Sequence, residues 1–211
     1  MNLKNKKILI TAGPTWVPID KVRVISNIAT GETGILLAER LQRLGVKVTL
    51  LLGPVAACCL NKKIKLIRFK FFDELKDLIK RELSLRKYDV VIHSAAVSDY
   101  RMAKNYPHKV KSGNKRWALN LVPTQKLIDI IKKNIDSSSF LVGFKFETGA
   151  QKNKLISQAR KLINTGSADL VVANSLNGGR YSAYLVNKKS VSSAISSKSE
   201  LVKKLVNVIG C

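Results

Sequence analysis

At 211 residues and 45% apolar content the chain can bury one substantial core, and no apolar run approaches the roughly 18 residues of a membrane span. Lys and Arg number 38 against 14 Asp and Glu, a formal net charge of +24. The lysines are spread along the whole chain and aromatics make up only 6% of it, which suits an enzyme of polyanionic substrates and argues against a specific nucleic-acid partner.

The basic start precedes an apolar stretch too short for a signal peptide, so a cytoplasmic protein without a membrane partner is expected. Residues 7–12 read as a buried first strand that opens into Gly13-Pro14-Thr15, a turn without the G-x-G-x-x-G of dinucleotide binders. Arg23, Asn27 and Ala29-Thr30-Gly31 follow, leading into a mostly apolar helix over 31–44 closed by Gly45. A strand at 46–52, a short helix over 55–61 and a strand at 64–69 come next, then a helix over 73–86 capped by Asp73.

The strand at 89–94 runs into Ala95-Ala96-Val97-Ser98-Asp99-Tyr100, and a long irregular loop at about 101–118 has the character of a flexible lid. Beyond it the pattern predicts a helix over 123–135, a strand at 140–144, a helix over 150–164 and a strand at 170–173. A hairpin of 181–186 with 191–194 precedes a last helix over 200–208 capped by Ser199. Strands and helices thus alternate as in an α/β, Rossmann-like doubly wound fold: a mainly parallel sheet, helices on both faces and a C-terminal β-hairpin. No linker or repeat divides residues 1–211, so a single domain is expected.

Polar residues gather at the ends of successive strands, the edge where open α/β sheets bind ligands. Arg23 and Asn27 share the first crossover with a helix entry that attracts anions; Thr30 there reads equally well as a cap. Ala95-Ala96 reads as tight packing or as room for a ligand, and Asp99 could hold a hydroxyl or a metal. Lys109 and Lys111 by themselves read as solvated surface, Phe144 as core and Asn174 as a turn residue. His93 reads as a core histidine, and with His108 distant from it no metal motif forms. The adjacent Cys58 and Cys59 read as small buried packing and Cys211 as the chain end, with no disulfide framework or zinc spacing. No catalytic triad, G-x-S-x-G or Walker motif is present.

The order of these pieces resembles the phosphopantothenate–cysteine ligase family, which also forms the C-terminal domain of the DNA/pantothenate metabolism flavoprotein. The matching segments are Ile10-Thr11-Ala12-Gly13-Pro14-Thr15; Ile19-Asp20 with Val22-Arg23 and Ile25-Ser26-Asn27; Thr30-Gly31 with Gly34; Ala95 through Tyr100; Lys109-Val110-Lys111; Val142-Gly143-Phe144 with Glu147-Thr148; and Asp169 through Asn174. They span most of the chain in the family's order.

The resemblance implies a ligase that joins 4′-phosphopantothenate to cysteine through an acyl-nucleotide in coenzyme A biosynthesis, using CTP or ATP as co-substrate with Mg²⁺, without FMN, and as a homodimer. It implies Asn27 on the acyl-nucleotide and its oxyanion, and Arg23, Ala29, Thr30 and Gly31 around the phosphopantothenate. Gly13, Ala96, Asp99, Lys109, Lys111 and Phe144 match the nucleotide region, Lys109 lying on a loop that closes on the triphosphate; no metal ligand is assigned. Two departures stand out: Glu32 replaces the family's Lys in the helix entry, and Trp16 stands where a charged residue is common. If Glu32 faces the ligand it opposes a phosphate there. The rival readings are an NAD(P)-dependent Rossmann oxidoreductase, which lacks its glycine fingerprint here, and a nucleic-acid binder relying on the net charge.

Overall fold

Parallel strands covered on both faces are apolar almost throughout, and the strands β1 (Lys7–Ala12) and β4 (Lys47–Leu52) are: each is buried at every position after its first lysine. In the computed structural model, which describes residues 3–56 and 60–210, they sit side by side in register near the middle of one sheet. Cys58, Cys59 and Cys211, and part of the expected helix over 55–61, lie outside the described residues.

The sheet is completed by β5 (Lys65–Arg68), β6 (Val90–His93), β9 (Phe140–Thr148), β10 (Leu170–Asn177) and β11 (Arg180–Val186). Its order is β11-β10-β9-β6-β1-β4-β5, parallel except for the antiparallel β10–β11 pair. The helices are α1 (Glu32–Arg43), α2 (Phe72–Leu85), α3 (Leu127–Asn134), α4 (Lys152–Asn164) and α5 (Lys198–Gly210). Leu37, Ala38 and Leu41 of α1 and Leu201, Val202, Leu205 and Val206 of α5 pack against Ile8, Ile10, Leu50, Ile92 and Val142. Leu75, Ile79, Leu127 and Ile131 of α2 and α3 cover Leu9, Leu51, Val91 and Leu141 on the other face. α4 closes that face over Val171 and Ala173. The expected doubly wound α/β architecture is observed.

Several boundaries shift for local reasons. The helix expected from residue 123 begins at Leu127, because Leu121–Pro123 (β8) pairs antiparallel with Tyr100–Met102 (β7) and Thr124 bonds back to Asp99 and Ser98. The irregular loop therefore lies between two short paired strands. The N-terminus of α2 is held by Glu74, whose carboxylate accepts the N–H groups of Lys70 and Phe71, while Asp73 pairs with Lys76 instead of capping. The last helix is capped by Ser197, whose Oγ accepts the N–H of Glu200, two residues before the expected Ser199. The C-terminal hairpin is built from β10 and β11 across Gly178-Gly179; residues 191–195 add only isolated bridges to β11, at Val186–Val191 and Ala183–Ile195.

Candidate active site

Two glycines shape the junction of β1 and α1 at the C-terminal edge of the sheet. Gly13 leaves β1 at φ 81° and Gly31 enters α1 at φ 69°, conformations that side chains resist. A Cβ on Gly31 would lie 3.2 Å from the Gly13 nitrogen, and one on Gly34 only 2.4 Å from the Ala12 Cβ. The α1 N-terminus is thus pressed onto the end of β1. No side chain caps Gly31, and the Thr30 hydroxyl meets the Glu32 N–H at a long 3.4 Å. The N-terminus of a helix carries partial positive charge and free N–H groups, which suit an anion.

Between β1 and α1 the chain forms a small antiparallel arm of β2 (Trp16–Pro18) and β3 (Val24–Ser26). It delivers Asn27, which donates from Nδ2 to the carbonyls of Ala96 at 3.0 Å and Val97 at 3.2 Å. Ala96 in turn donates its N–H to Gly13 O, and the Thr15 hydroxyl accepts the Ser98 N–H. Asn27, Ala96 and Gly13 are therefore linked in one hydrogen-bonded rim. Trp16 packs edge-on against Phe71 at 6.4 Å, so the departure there supports the arm.

The remaining candidates make none of the rim's hydrogen bonds. Arg23 donates from Nη2 to Val110 O at 2.7 Å and lies over the Trp117 ring, 4.8 Å from its centre. This seats Lys109 and Lys111, both exposed, beside the arm; among the described residues neither lysine has an ion-pair partner. Asp99 is ion-paired with Lys126 from the start of α3. Phe144 lies two strands from β1, half-buried against the core under α1 and α5. Neither Phe144 nor Lys109 is bonded to Asn27. Glu32 pairs with Lys198 at the head of α5, so its charge is met by a cation from another helix.

His93 ends β6 in contact with Thr11, Nδ1 to Oγ1 at 2.8 Å, and burial pushes its pKa down to about 4. The expected core histidine is only partly buried, at the end of its strand, and neutral at pH 7. Three buried polar atoms on the last two strands, Asn174 Oδ1, Ser175 Oγ and the Tyr181 hydroxyl, lack a well-formed hydrogen bond among the described residues, Asn174 and Tyr181 being each other's neighbours. Burial lifts Tyr181 to about 12, against a smaller pull from Asn174. Asn174 showed only as a strand-end polar residue; Tyr181 carried no signal, because an antiparallel strand from the far edge supplies it.

Residues 3–210 match the DNA/pantothenate metabolism flavoprotein C-terminal domain family. The chain belongs to this family. It is 41% identical over 177 residues, 83% of its length, to the coenzyme A biosynthesis bifunctional protein CoaBC of Thermococcus kodakarensis, of which that stretch covers 42%. It is 35% identical over 188 residues, 86% of its length, to the bifunctional protein of the same name from Bacillus subtilis, covering 43% of it. The chain thus spans less than half the length of these two curated relatives. Among solved structures, the DNA/pantothenate metabolism flavoprotein from Streptococcus pneumoniae superposes with a TM-score of 0.86 at 26% identity, over 97% of this chain and 98% of that one. No helix among the described residues is long and apolar enough to cross a membrane, and none of their His, Cys, Asp and Glu side chains cluster in threes as a metal cage requires.

Proposed function

We propose that this chain, as one ligase domain over its whole length, condenses 4′-phosphopantothenate with cysteine in the cytoplasm, activating the acid with CTP or ATP. The observation that carries the reading is the rim formed by Asn27, Ala96 and Gly13 over the bare N-terminus of α1, in a chain of this family. In the first step a carboxylate oxygen attacks the α-phosphorus of the nucleotide and pyrophosphate leaves. In the second the cysteine amine attacks the activated carbonyl, and the nucleoside monophosphate departs as the amide forms.

Both steps build negative charge without needing a protein nucleophile, so positioning and electrostatics do the work. Lys109, with Lys111 beside it, meets the triphosphate and neutralises the leaving pyrophosphate. Gly13 and Gly31 let the phosphates approach backbone N–H groups at the α1 entry. Arg23, with Ala29 and Thr30, meets the phosphopantothenate. Asn27 orients the acyl-nucleotide: its Nδ2 releases a carbonyl of the 96–97 turn to donate to the reacting oxygen. Asp99 and Ala96 line the nucleotide, and Phe144 and Asn174 bound it on the β9–β10 side. Mg²⁺ bound to the triphosphate would neutralise phosphate charge, and no side chain is assigned as its ligand, since the described residues place no group of three acidic or imidazole side chains where they could hold a metal ion. Val22, Ile28 and Tyr100 are exposed around the arm and give a second copy an apolar surface, so the active species is a homodimer.

The test is pyrophosphate release from CTP and from ATP in separate assays with 4′-phosphopantothenate, Mg²⁺ and cysteine. Release that needs phosphopantothenate and yields a cysteine adduct supports the ligase and names its nucleotide. Folded protein that releases none with either nucleotide rejects it. Light scattering coupled to size exclusion tests the dimer.

A further inference from the structure

Asp20, in the turn of the β2–β3 arm, has a side chain that is 0% exposed, yet none of the steps above uses it. Its Oδ1 accepts the N–H groups of Val22 and Arg23, each at 2.8 Å. Its Oδ2 accepts the N–H of Val110 at 3.1 Å and stands 3.7 Å from Arg23 Nε. Burial alone would raise the carboxyl's pKa, but the three backbone donors and the Arg23 charge outweigh it and hold the group below the usual carboxylate range. Asp20 is therefore a fixed anion on the arm.

Val110 is the residue between the two lysines of the loop. Asp20 takes its N–H, and Arg23, itself set by Asp20, donates to its carbonyl at 2.7 Å. Both backbone polar groups of Val110 are thus held by a pair of side chains nearly ninety positions earlier in the chain. Around this clasp, Tyr106 N–H bonds to Ile19 O at 3.0 Å, and the Tyr106 and Trp117 rings meet edge to face at 6.0 Å under the Arg23 guanidinium. An otherwise irregular loop is anchored at one point between the two lysines, while those side chains stay exposed.

We propose that Asp20 is a positioning residue: by clamping Val110 it sets where Lys109 and Lys111 stand relative to the arm that carries Arg23 and Asn27. The consequence for catalysis rests on the reading of Lys109 as the group that meets the triphosphate. The clamp itself does not.

Asp20→Asn separates the two functions of the carboxylate. The amide oxygen can keep the Val22 and Arg23 donors, so the turn survives, but its NH₂ then faces the Val110 N–H and Arg23 Nε, donor against donor. Native-state amide exchange followed by NMR reads the clamp directly. In the wild-type chain the Val110 amide is expected to exchange at least tenfold more slowly than those of Lys111 and Gly113. In Asp20→Asn that protection is lost while amides of β1 and β4 keep theirs. Pyrophosphate-release kinetics on the same samples should show KM for the nucleoside triphosphate rising about tenfold, with KM for cysteine unchanged, a split that general loosening of the fold would not give.

A wild-type Val110 amide that exchanges as fast as its neighbours overturns the proposal, and this comparison stands even if the variant fails to fold. Unchanged Val110 protection in folded Asp20→Asn also overturns it. Loss of protection in a protein whose wild type releases no pyrophosphate supports the clamp and rejects the ligase reading instead.

Discussion

Asn27 uses its amide N–H groups on two carbonyls of the strand-end turn, at 3.0 and 3.2 Å, so its charge state matters more than its size. Asn27→Asp would set a carboxylate against the Ala96 and Val97 oxygens and remove the donor proposed for the acyl-nucleotide. Formation of phosphopantothenoylcysteine should fall at least a hundredfold, comparable to the loss of one oxyanion donor at about 3 kcal/mol, while nucleotide consumption falls less. Separate assays of pyrophosphate and of the cysteine adduct measure the two, and wild-type adduct formation would reject this role. Lys109→Gln keeps the length of the side chain and removes its charge. Because the side chain is exposed and has no ion-pair partner among the described residues, folding should be untouched while pyrophosphate release drops at least tenfold. An unchanged rate would make the loop lysine mere surface.

At the scale of elements, the entry of α1 is the joint on which the crevice depends. Gly34 lies where a Cβ would come within 2.4 Å of the Ala12 Cβ and 3.0 Å of the Ser94 hydroxyl, so Gly34→Ala must push the helix off the end of β1. Such overpacking costs about 1–3 kcal/mol, and the urea midpoint should fall accordingly, with substrate affinity falling alongside it as the helix N-terminus retreats. An unshifted midpoint would mean that the joint yields freely. The Glu32–Lys198 pair belongs to the same joint. Glu32 departs from the family's Lys at the helix entry and would oppose a phosphate it faced, and its ion pair to Lys198 of α5 meets that charge, since two helices far apart in the chain come together at that edge.

For the whole molecule, charge and burial govern the response to conditions. His93 is held at about 4 against 6.5 when free, so between those values the unfolded chain binds a proton that the native one refuses, and stability falls as pH drops through that window. Asp20, Glu82 and Asp89 are also held below their ordinary values and act in the same direction, their contribution fading as pH falls through the carboxylate range. Tyr88 and Tyr181 are lifted to about 12 from 10, so their contribution is whole below 10 and is lost as pH rises from there. The urea midpoint should therefore be flattest between roughly 7 and 10, and His93→Gln should flatten the limb from 6.5 down to 4. An unaltered limb would remove His93 as its cause. The net charge of +24 should also bind duplex DNA at low salt without sequence preference, the affinity falling steeply as salt rises. A sequence-selective, salt-resistant complex would contradict the expectation of no specific nucleic-acid partner.

The sequence by itself determined the doubly wound class and the alternation of the main parallel strands with their covering helices. Apolar runs such as Ile8-Leu9-Ile10 declare buried parallel strands, and strand ends in such a sheet converge on one edge wherever the helices lie. Asn27 stood out as a polar residue in the first crossover beside a helix entry, whereas Gly13 and Ala96 were assigned to a site only through the family resemblance. Only the tertiary structure decided the partners: that Asp20 grips Val110, that Lys198 answers Glu32, that Tyr181 joins Asn174 on one sheet face, and that β11 pairs with β10. Local propensity carries no information about which distant donor reaches which acceptor. That choice is made when sheet order and helix packing bring residues close, and buried polar groups must then be satisfied by whatever arrives beside them.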